Sequence, residues 1–460
     1  MDPERYFSQL RRICADSEPA LLLCDPALRG SLAEAKLGVR VVPFTRVTSS
    51  GLADPIPPPE DAPLLVQYSS GSTREPKGCV LTAPAIKHQL SELARLLEID
   101  PERDAGAVWL PLAHDMGLFG CLLLTYWTGH PLALSTPQRF LSDPRTWLVD
   151  CARFGATISA TPNFALALAA RAARAGIVAD LRLRKVVIGG DRIEPDTLSQ
   201  AQAVFADSGL PTTALTPAYG LAEAVLAVTM SSIHEEPLVG CFAANALADG
   251  SVVPVDHHHD GDTLRLVSVG RPIRGCVVTI GNDSSRAATG RLGDIKVNGP
   301  SLARGYLNAE GATRARFTPQ GLVTGDLGFI SNGHLFITGR IDDLISVGGR
   351  NIYARDVENA LCSVAGIRAG SCAVVDVDIG GDRLIVAVIE PRPHHPDRAV
   401  MAEQIARSAR RSAGVGIDAC VFLGQGEFPR TPSGKLQRFR CRELVAEGAG
   451  VMIEVRFRNW

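Results

Sequence analysis

The sequence predicts an α/β protein. It reads as a large N-terminal domain of parallel α/β layers with a small β-barrel-like unit, followed by a small, mobile α+β domain. Three observations carry this reading. Between residues 64 and 230, apolar strand-like runs alternate with helix-like ones, the pattern of a covered, mostly parallel sheet. From residue 262 the apolar stretches become short and are split by Gly, Asn and Asp turns, which suits a small antiparallel sheet or distorted barrel. A charged break, Gly339-Arg340-Ile341-Asp342-Asp343, then precedes a new strand–helix series. The boundary is therefore placed there, giving domains over 1–340 and 341–460.

The chain has 460 residues, more than one ordinary core accommodates. Its 46% hydrophobic and 21% charged residues belong to a globular protein. A net charge of -2 supplies no basic field for nucleic acid. No apolar run reaches the roughly 18 residues that a membrane span requires. The start, Met1-Asp2-Pro3-Glu4-Arg5, lacks an apolar segment of the secretory kind, so a cytoplasmic protein is expected. Eleven scattered cysteines with no C-x-x-C spacing indicate reduced thiols rather than a disulfide framework or a zinc site.

Taken in order, Ala20-Leu21-Leu22-Leu23-Cys24 is a strand ending at Asp25-Pro26, followed by a Pro-rich connector over 55–63. Leu64 to Tyr68 reads as a buried strand, and Ile86 to Leu97 as an amphipathic helix started at Pro84. The stretch from Val108 to Leu118 is a strand running into a turn that carries His114 and Asp115, then an apolar helix from Leu118 to Trp127. His114 in such a turn is more often a satisfied structural group than a base, yet the helix beside it suits an apolar pocket. Ala156 to Phe164 and Lys185 to Gly190 are further strand-to-turn passages. Tyr219 and Glu223 follow a turn four residues apart, where a ring can stack and a carboxylate can reach a cation. Each also fits a core tyrosine and a surface glutamate.

In the antiparallel region the strands are Val267–Gly270, Cys276–Ile280, Gly293–Val297 and Leu335–Thr338, with the Asp326 carboxylate read as exposed on a turn. Beyond the break come a strand, the Gly348-Gly349 turn, a helix over 354–362, strands over 372–378 and 383–390, a helix over 402–413 and a strand over 420–424. The loop Arg430-Thr431-Pro432-Ser433-Gly434-Lys435 exposes a lysine on a Pro/Gly-rich turn. His257-His258-His259 lies in a polar loop; three adjacent side chains do not share a face, which argues against a metal site.

The stretch Tyr68-Ser69-Ser70-Gly71-Ser72-Thr73-Arg74-Glu75-Pro76-Lys77-Gly78 is the densest in chemistry. Hydroxyls and glycines let backbone N–H groups wrap a phosphate chain, and Lys77 adds a point charge. It is not a Walker A loop, because Lys77 precedes Gly78. Read alone, it also fits a flexible surface turn.

Together, S-S-G-S-T-R-E-P-K-G, Y-G-L-A-E, T-G-D with G-R-I-D-D, and P-R-T-P-S-G-K resemble the motifs of the adenylate-forming superfamily of acyl-CoA synthetases, peptide-synthetase adenylation domains and luciferases. The resemblance runs from about Leu64 to Arg440 and is nearest to fatty acyl-AMP ligases, through W-L-P-L-A-H-D-M-G-L, A-T-I-S-A-T-P-N-F-A and Y-G-L-A-E-A-V-L. The stretch 235–266 corresponds loosely to the insertion of those ligases. Fewer residues precede the first motif than in the family, so the first subdomain is read as pared down or the chain start as incomplete.

The resemblance implies ATP, AMP, Mg²⁺ and coenzyme A as cofactors. It places Ser70, Gly71, Ser72, Thr73 and Lys77 at the pyrophosphate of ATP, Tyr219 and Gly220 at adenine, and Glu223 on Mg²⁺. Asp326 would take the ribose hydroxyls, Arg340 ribose or phosphate, and Asp342 the hinge. Lys435 would reach the α-phosphate and acyl carboxylate, with His114 at the acyl pocket. Gly348-Gly349 resembles acyl-CoA ligases, where a narrow pantetheine channel needs a residue without a side chain. The implied reaction joins a hydrophobic carboxylic acid to ATP and passes the acyl group to a pantetheine thiol. CoA is favoured over an acyl carrier protein. Two alternatives are an enzyme working mainly on a preformed adenylate and a non-catalytic nucleotide-binding partner.

Overall fold

A computed structural model describes residues 3–47, 58–68, 76–174, 180–256, 263–281, 290–347, 350–379, 382–394, 397–430 and 436–455. The chain opens with α1 (Pro3–Ser17), β1 (Leu21–Cys24), α2 (Arg29–Glu34) and β2 (Arg40–Pro43). The two strands pair in parallel above a small cluster of Cys14, Cys24, Leu32, Ala35 and Leu37. The apolar run at 20–24 is thus a strand, as its pattern indicates.

Next come β3 (Pro63–Tyr68) and β4 (Gly78–Thr82), which pair antiparallel with each other, while β4 also bonds the 304–307 segment through Val80 N to Gly305 O, Arg304 N to Val80 O and Leu307 N to Gly78 O. This corrects the expectation of a buried strand feeding the large sheet: Leu64 is 55% exposed. Antiparallel pairing with Tyr68 opposite Gly78 sets the two strands apart from the parallel sheet, whose strands are joined by crossovers. Thr82 Oγ1 then caps α3 (Ala83–Leu96) by accepting from Ala85 N, and Pro84 occupies the first turn, where its missing N–H costs nothing. Ile86, Leu90 and Leu93 form its buried face.

The large sheet comprises β5 (Gly106–Val108), β6 (Leu132–Leu134), β7 (Ile158–Thr161), β8 (Lys185–Ile188), β9 (Leu215–Gly220) and β10 (Ala227–Met230). A separate antiparallel ribbon follows, β11 (Val239–Ala243) with β12 (Thr263–Val267), and then β13 (Arg271–Pro272) rejoins the large sheet. Strand order is β13-β10-β9-β8-β7-β5-β6. Pairing is parallel from β6 through β9 and antiparallel at β10 and β13. The parallel part therefore begins at 106, later than the alternation from 64 suggested. Helices Arg145–Phe154, Asn163–Ala173 and Pro195–Phe205 contribute Trp147, Leu148, Leu166, Leu198 and Phe205 to its core. The expected helix over 118–127 is observed as three successive segments, Asp115–Gly117, a π-helical Leu118–Leu123, and Leu124–Thr128.

A second sheet contains β14 (Val277–Ile280), β15 (Gly293–Asn298), β16 (Phe317–Thr318), β17 (Gly321–Ser331) and β18 (His334–Arg340), all antiparallel. Asp326 lies within β17, not on an exposed turn, because β17 continues past Gly325 to pair with β18. The run at 267–270 contributes only Val267 to a strand, and that strand pairs with β11 instead of this sheet.

The last part holds the hairpin β19 (Leu344–Val347) and β20 (Arg350–Tyr353), helix Ala354–Leu361, β21 (Ile367–Ile379), β22 (Asp382–Pro391), helix Arg398–Ala413, β23 (Ala419–Phe422), helix Arg438–Ala446 and β24 (Val451–Glu454). Two apolar clusters form its interior, and none of their buried members precedes Ile345. Glu358 is buried there. Its carboxylate accepts from Arg438 Nη2 at 2.6 Å and Val374 N at 2.7 Å. Burial pushes the Glu358 carboxyl up, and the Arg438 guanidinium opposes that rise.

Asp104, at the foot of β5, is clamped by Arg184 Nε at 2.8 Å, Arg184 Nη2 at 2.6 Å, Thr157 Oγ1 at 2.7 Å and Asp100 N at 2.9 Å. Burial would raise its pKa, but these donors outweigh it and hold the carboxyl down to about 2. Folding therefore gains stability above the unfolded carboxylate pKa of about 3.9, and that gain is lost as pH falls toward 2. Asp104→Asn should unfold with about 2 kcal/mol less stability at pH 7, the gap to wild type closing between pH 4 and 2 in urea titrations. Removing the Glu358 counter-charge is a larger change: Arg438→Met should cost about 3 kcal/mol in the same titrations.

Candidate active site

A cavity of about 1240 Å³ opens where the C-terminal ends of β7, β8 and β9 face β18 and the final lobe. Parallel α/β sheets present ligand sites at such strand ends. Its lining includes Lys77, His114, Tyr219, Gly220, Glu223, Asp326, Arg340 and Asp342, so the described candidate residues are brought together. Ser70, Gly71, Ser72, Thr73, Gly348, Gly349 and Lys435 lie outside the described residues, as do His257 to His259. The positions bordering two of these segments nevertheless line the cavity: Tyr68 and Lys77 on one side, Arg430 and Leu436 on the other.

Tyr219, at the end of β9, donates its hydroxyl to Asp326 Oδ2 at 2.7 Å. Arg340 Nε stands 3.1 Å from Asp326 Oδ1, and the two residues are register partners across β17 and β18. Burial raises the Asp326 carboxyl while Arg340 works against the rise; burial and the adjacent carboxylate keep the Tyr219 phenol protonated as a donor. Gly220 is required by close approach: a Cβ there would sit 1.6 Å from Leu226 O.

Glu223 occupies the 3₁₀ turn Ala222–Ala224, which ends at Val225 with φ of 63°. A β-branched residue in that region is strained, and the turn is held by Ala303 N donating to Glu223 O at 2.8 Å. The Glu223 side chain accepts from Tyr306 Oη at 2.7 Å and lies 4.0 Å from Arg316 Nη2. Lys77 Nζ sits 5.3 Å from the centroid of the Tyr306 ring. Cation, phenol and carboxylate thus converge on one wall.

His114 sits beside the segment Asp115–Gly117: Met116 N donates to the Asp115 carboxylate at 2.7 Å, and His114 Nδ1 lies 3.4 Å from that N and against the same carboxylate. Its ring borders the cavity with Nδ1 committed to this turn. Asp342 is exposed in the turn Ile341–Asp343 that links β18 to β19, with Arg442 Nη2 donating to its carbonyl at 3.3 Å.

Sequence reasoning missed several cavity residues. Tyr306 and Arg316 had no local signal, because their partner Glu223 is distant in sequence. Asp191 and Arg192 directly follow the double glycine closing β8, a placement that could have marked them. Arg192 Nη1 reaches Asp356 at 3.0 Å and donates to Thr338 O at 3.2 Å, while Arg355 reaches Asp191 at 2.7 Å and Glu194 at 3.3 Å. Among the described residues no group of three His, Cys, Asp or Glu is poised to hold a metal.

Tyr306→Phe removes the one hydroxyl donated to Glu223 and should cost about 2 kcal/mol of stability in urea unfolding.

Residues 3–307 match the family model described as AMP-binding enzyme. The medium-chain-fatty-acid–[acyl-carrier-protein] ligase JamA of Moorena producens is 33% identical over 85% of this chain and 69% of its own. The long-chain-fatty-acid–AMP ligase FadD23 of Mycobacterium tuberculosis is 30% identical over 94% of this chain and 79% of its own. Among solved structures, one from a study of fatty acyl-adenylate ligases of E. coli and L. pneumophila superposes with a TM-score of 0.87 at 26% identity, covering 97% of this chain and 81% of that one. No helix among the described residues is long and apolar enough to cross a membrane. The chain belongs to the AMP-binding enzyme family.

Proposed function

We propose that the protein is an acyl-activating ligase. A hydrophobic carboxylic acid and ATP give acyl-adenylate and pyrophosphate; a pantetheine thiol then displaces AMP to give the thioester. The observation that carries this reading is the single cavity itself. It meets the borders of both anion-handling loops, holds the Tyr219–Asp326–Arg340 and Lys77–Tyr306–Glu223 groups, and continues into an apolar lining that includes Leu93, Leu97, Leu124, Leu132 and Phe164.

In this reading Tyr219 packs against adenine and Asp326 accepts from the ribose hydroxyls, with Arg340 keeping that carboxylate charged in a buried setting. The acid's carboxylate oxygen attacks the α-phosphorus, the new O–P bond forms, and pyrophosphate leaves with the electron pair. Both reactants are anions, so their approach is opposed by repulsion. Lys77 on the large lobe, with Lys435 carried by the small one, lowers it. Thr73 and its neighbours would hold the leaving pyrophosphate. Glu223 fits an Mg²⁺ ion of the kind held by one carboxylate plus nucleotide phosphates, a donor set that needs no protein-only cage. The bound ion would supply neutralisation of phosphate charge.

For the second step, rotation at Asp342 would turn a different face of the 341–460 domain to the cavity. Gly348-Gly349 supports CoA as acceptor; the carrier-protein ligase among the relatives supports a carrier protein as the alternative. All eleven cysteines are free, in keeping with a reducing cytoplasm.

Lys435→Ala should lower ATP–pyrophosphate exchange by roughly a hundredfold or more while leaving the thermal midpoint unchanged. Exchange unchanged in that variant would overturn the assignment. Ordinary exchange by the wild type would exclude an enzyme confined to thioester formation.

A further inference from the structure

Arg316 is an under-used cation of the cavity. It closes the helix Glu310–Arg316, and its neighbours fasten that end: Phe317 packs edge-on against Tyr306 with ring centres 5.5 Å apart, and Thr313 Oγ1 accepts from Tyr306 N at 2.9 Å. The Arg316 side chain is 28% exposed and lines the cavity with Tyr306, Glu223 and Asp326. A guanidinium carries several N–H donors in a fixed fork. Among the described residues Arg316 makes one hydrogen bond, from Nη2 to Thr324 O at 2.7 Å. Its Nε is buried without an acceptor, and Glu223 Oε1, 4.0 Å from Nη2, is beyond hydrogen-bond reach. A mostly buried guanidinium bonded this sparsely is costly until an anion offers its oxygens.

Its position says which anion. Thr324 and Gly325 directly precede Asp326. Gly325, with φ of 75°, lets the guanidinium lie close: a Cβ there would sit 2.9 Å from Arg316 Nη1. Arg316 is thus anchored next to the carboxylate assigned to ribose and 4.0 Å from the one assigned to Mg²⁺. Burial raises both the Asp326 carboxyl and the Tyr306 phenol, and Arg316 is among the groups opposing the rise in each, so its charge reaches both flanks. A nucleotide with its ribose at Asp326 and its metal-bound phosphates at Glu223 runs its phosphate chain past this guanidinium. Phosphate oxygens match the planar fork, which can donate parallel bonds to them.

We propose that Arg316 contacts the phosphate chain of the nucleotide, joining Lys77 as a cation of the large lobe. This rests on the ligase reading and adds a residue to its binding site. A purely structural Arg316 would do no more than brace the turn before Asp326 through the Thr324 carbonyl.

The test titrates adenosine, AMP and non-hydrolysable α,β-methylene ATP, without added magnesium, into the wild-type chain and into Arg316→Met and Arg316→Gln. The glutamine amide can still donate to Thr324 O but has neither charge nor fork. Both variants should bind adenosine within about twofold of wild type and lose roughly tenfold to a hundredfold in affinity for a phosphorylated ligand. A loss already present with AMP puts the contact on the α-phosphate; a loss confined to the ATP analogue puts it on the β- or γ-phosphate. An equal loss for adenosine, recovery of phosphate affinity in Arg316→Gln, or unchanged affinities in both variants overturns the inference and leaves the ligase reading standing. Should Arg316→Met not fold, Arg316→Gln decides on the same adenosine and phosphate affinities. A wild type that binds neither AMP nor the ATP analogue counts against the ligase reading, and the inference falls with it.

Discussion

The Asp326 carboxylate joins the two sheets at the point where the cavity forms. Tyr219 comes from the parallel sheet and Arg340 from the strand beside Asp326, and both converge on one half-buried anion. A lone buried carboxylate would lose its charge, so each partner is needed to keep it ionised. The same pairing sets the end of β18, and hence where the chain leaves for the last lobe. Charge state, sheet juxtaposition and the position of the 341–343 turn are thus coupled through a single side chain.

The two lobes are held together differently from their interiors. Each interior is apolar, whereas the described contacts across the boundary include ion pairs of Arg192 with Asp356 and of Arg355 with Asp191 and Glu194, several of these groups partly solvated. Such pairs contribute little each and exchange readily for water. An interface of that kind suits two bodies that dock and part, while tight packing within each lobe keeps the cavity-lining groups in register.

Much of the fold was legible in the sequence. Buried parallel strands announce themselves as continuous apolar runs, so 158–161 and 185–188 were read correctly from Ile158 and Val186-Val187-Ile188. The strand at 63–68 misled because Leu64-Leu65-Val66 has the same look, although only pairing partners decide whether such a run is central to the large sheet or part of a separate ribbon. Asp326 was misplaced for a related reason: Thr324-Gly325-Asp326 contains a glycine that reads as a turn, yet Gly325 with φ of 75° bends a strand that continues. His114 was grouped with the site and does line the cavity, while its contact with the Asp115 carboxylate in the following turn emerged only in three dimensions.

By itself, the sequence determined which chemical groups are available: hydroxyl- and glycine-rich loops with lysines, an aromatic–carboxylate pair after a strand, and a charged break between two folding units. Those follow from local composition and spacing, which short-range sterics and hydrogen bonding enforce. Only the tertiary structure decided that Tyr306 restrains Glu223 and that Asp326 is held, half-buried, between Tyr219 and Arg340. Each depends on groups from different strands or turns meeting in three dimensions with a definite donor and acceptor. No linear pattern encodes that, because burial and hydrogen-bond direction are properties of the packed neighbourhood.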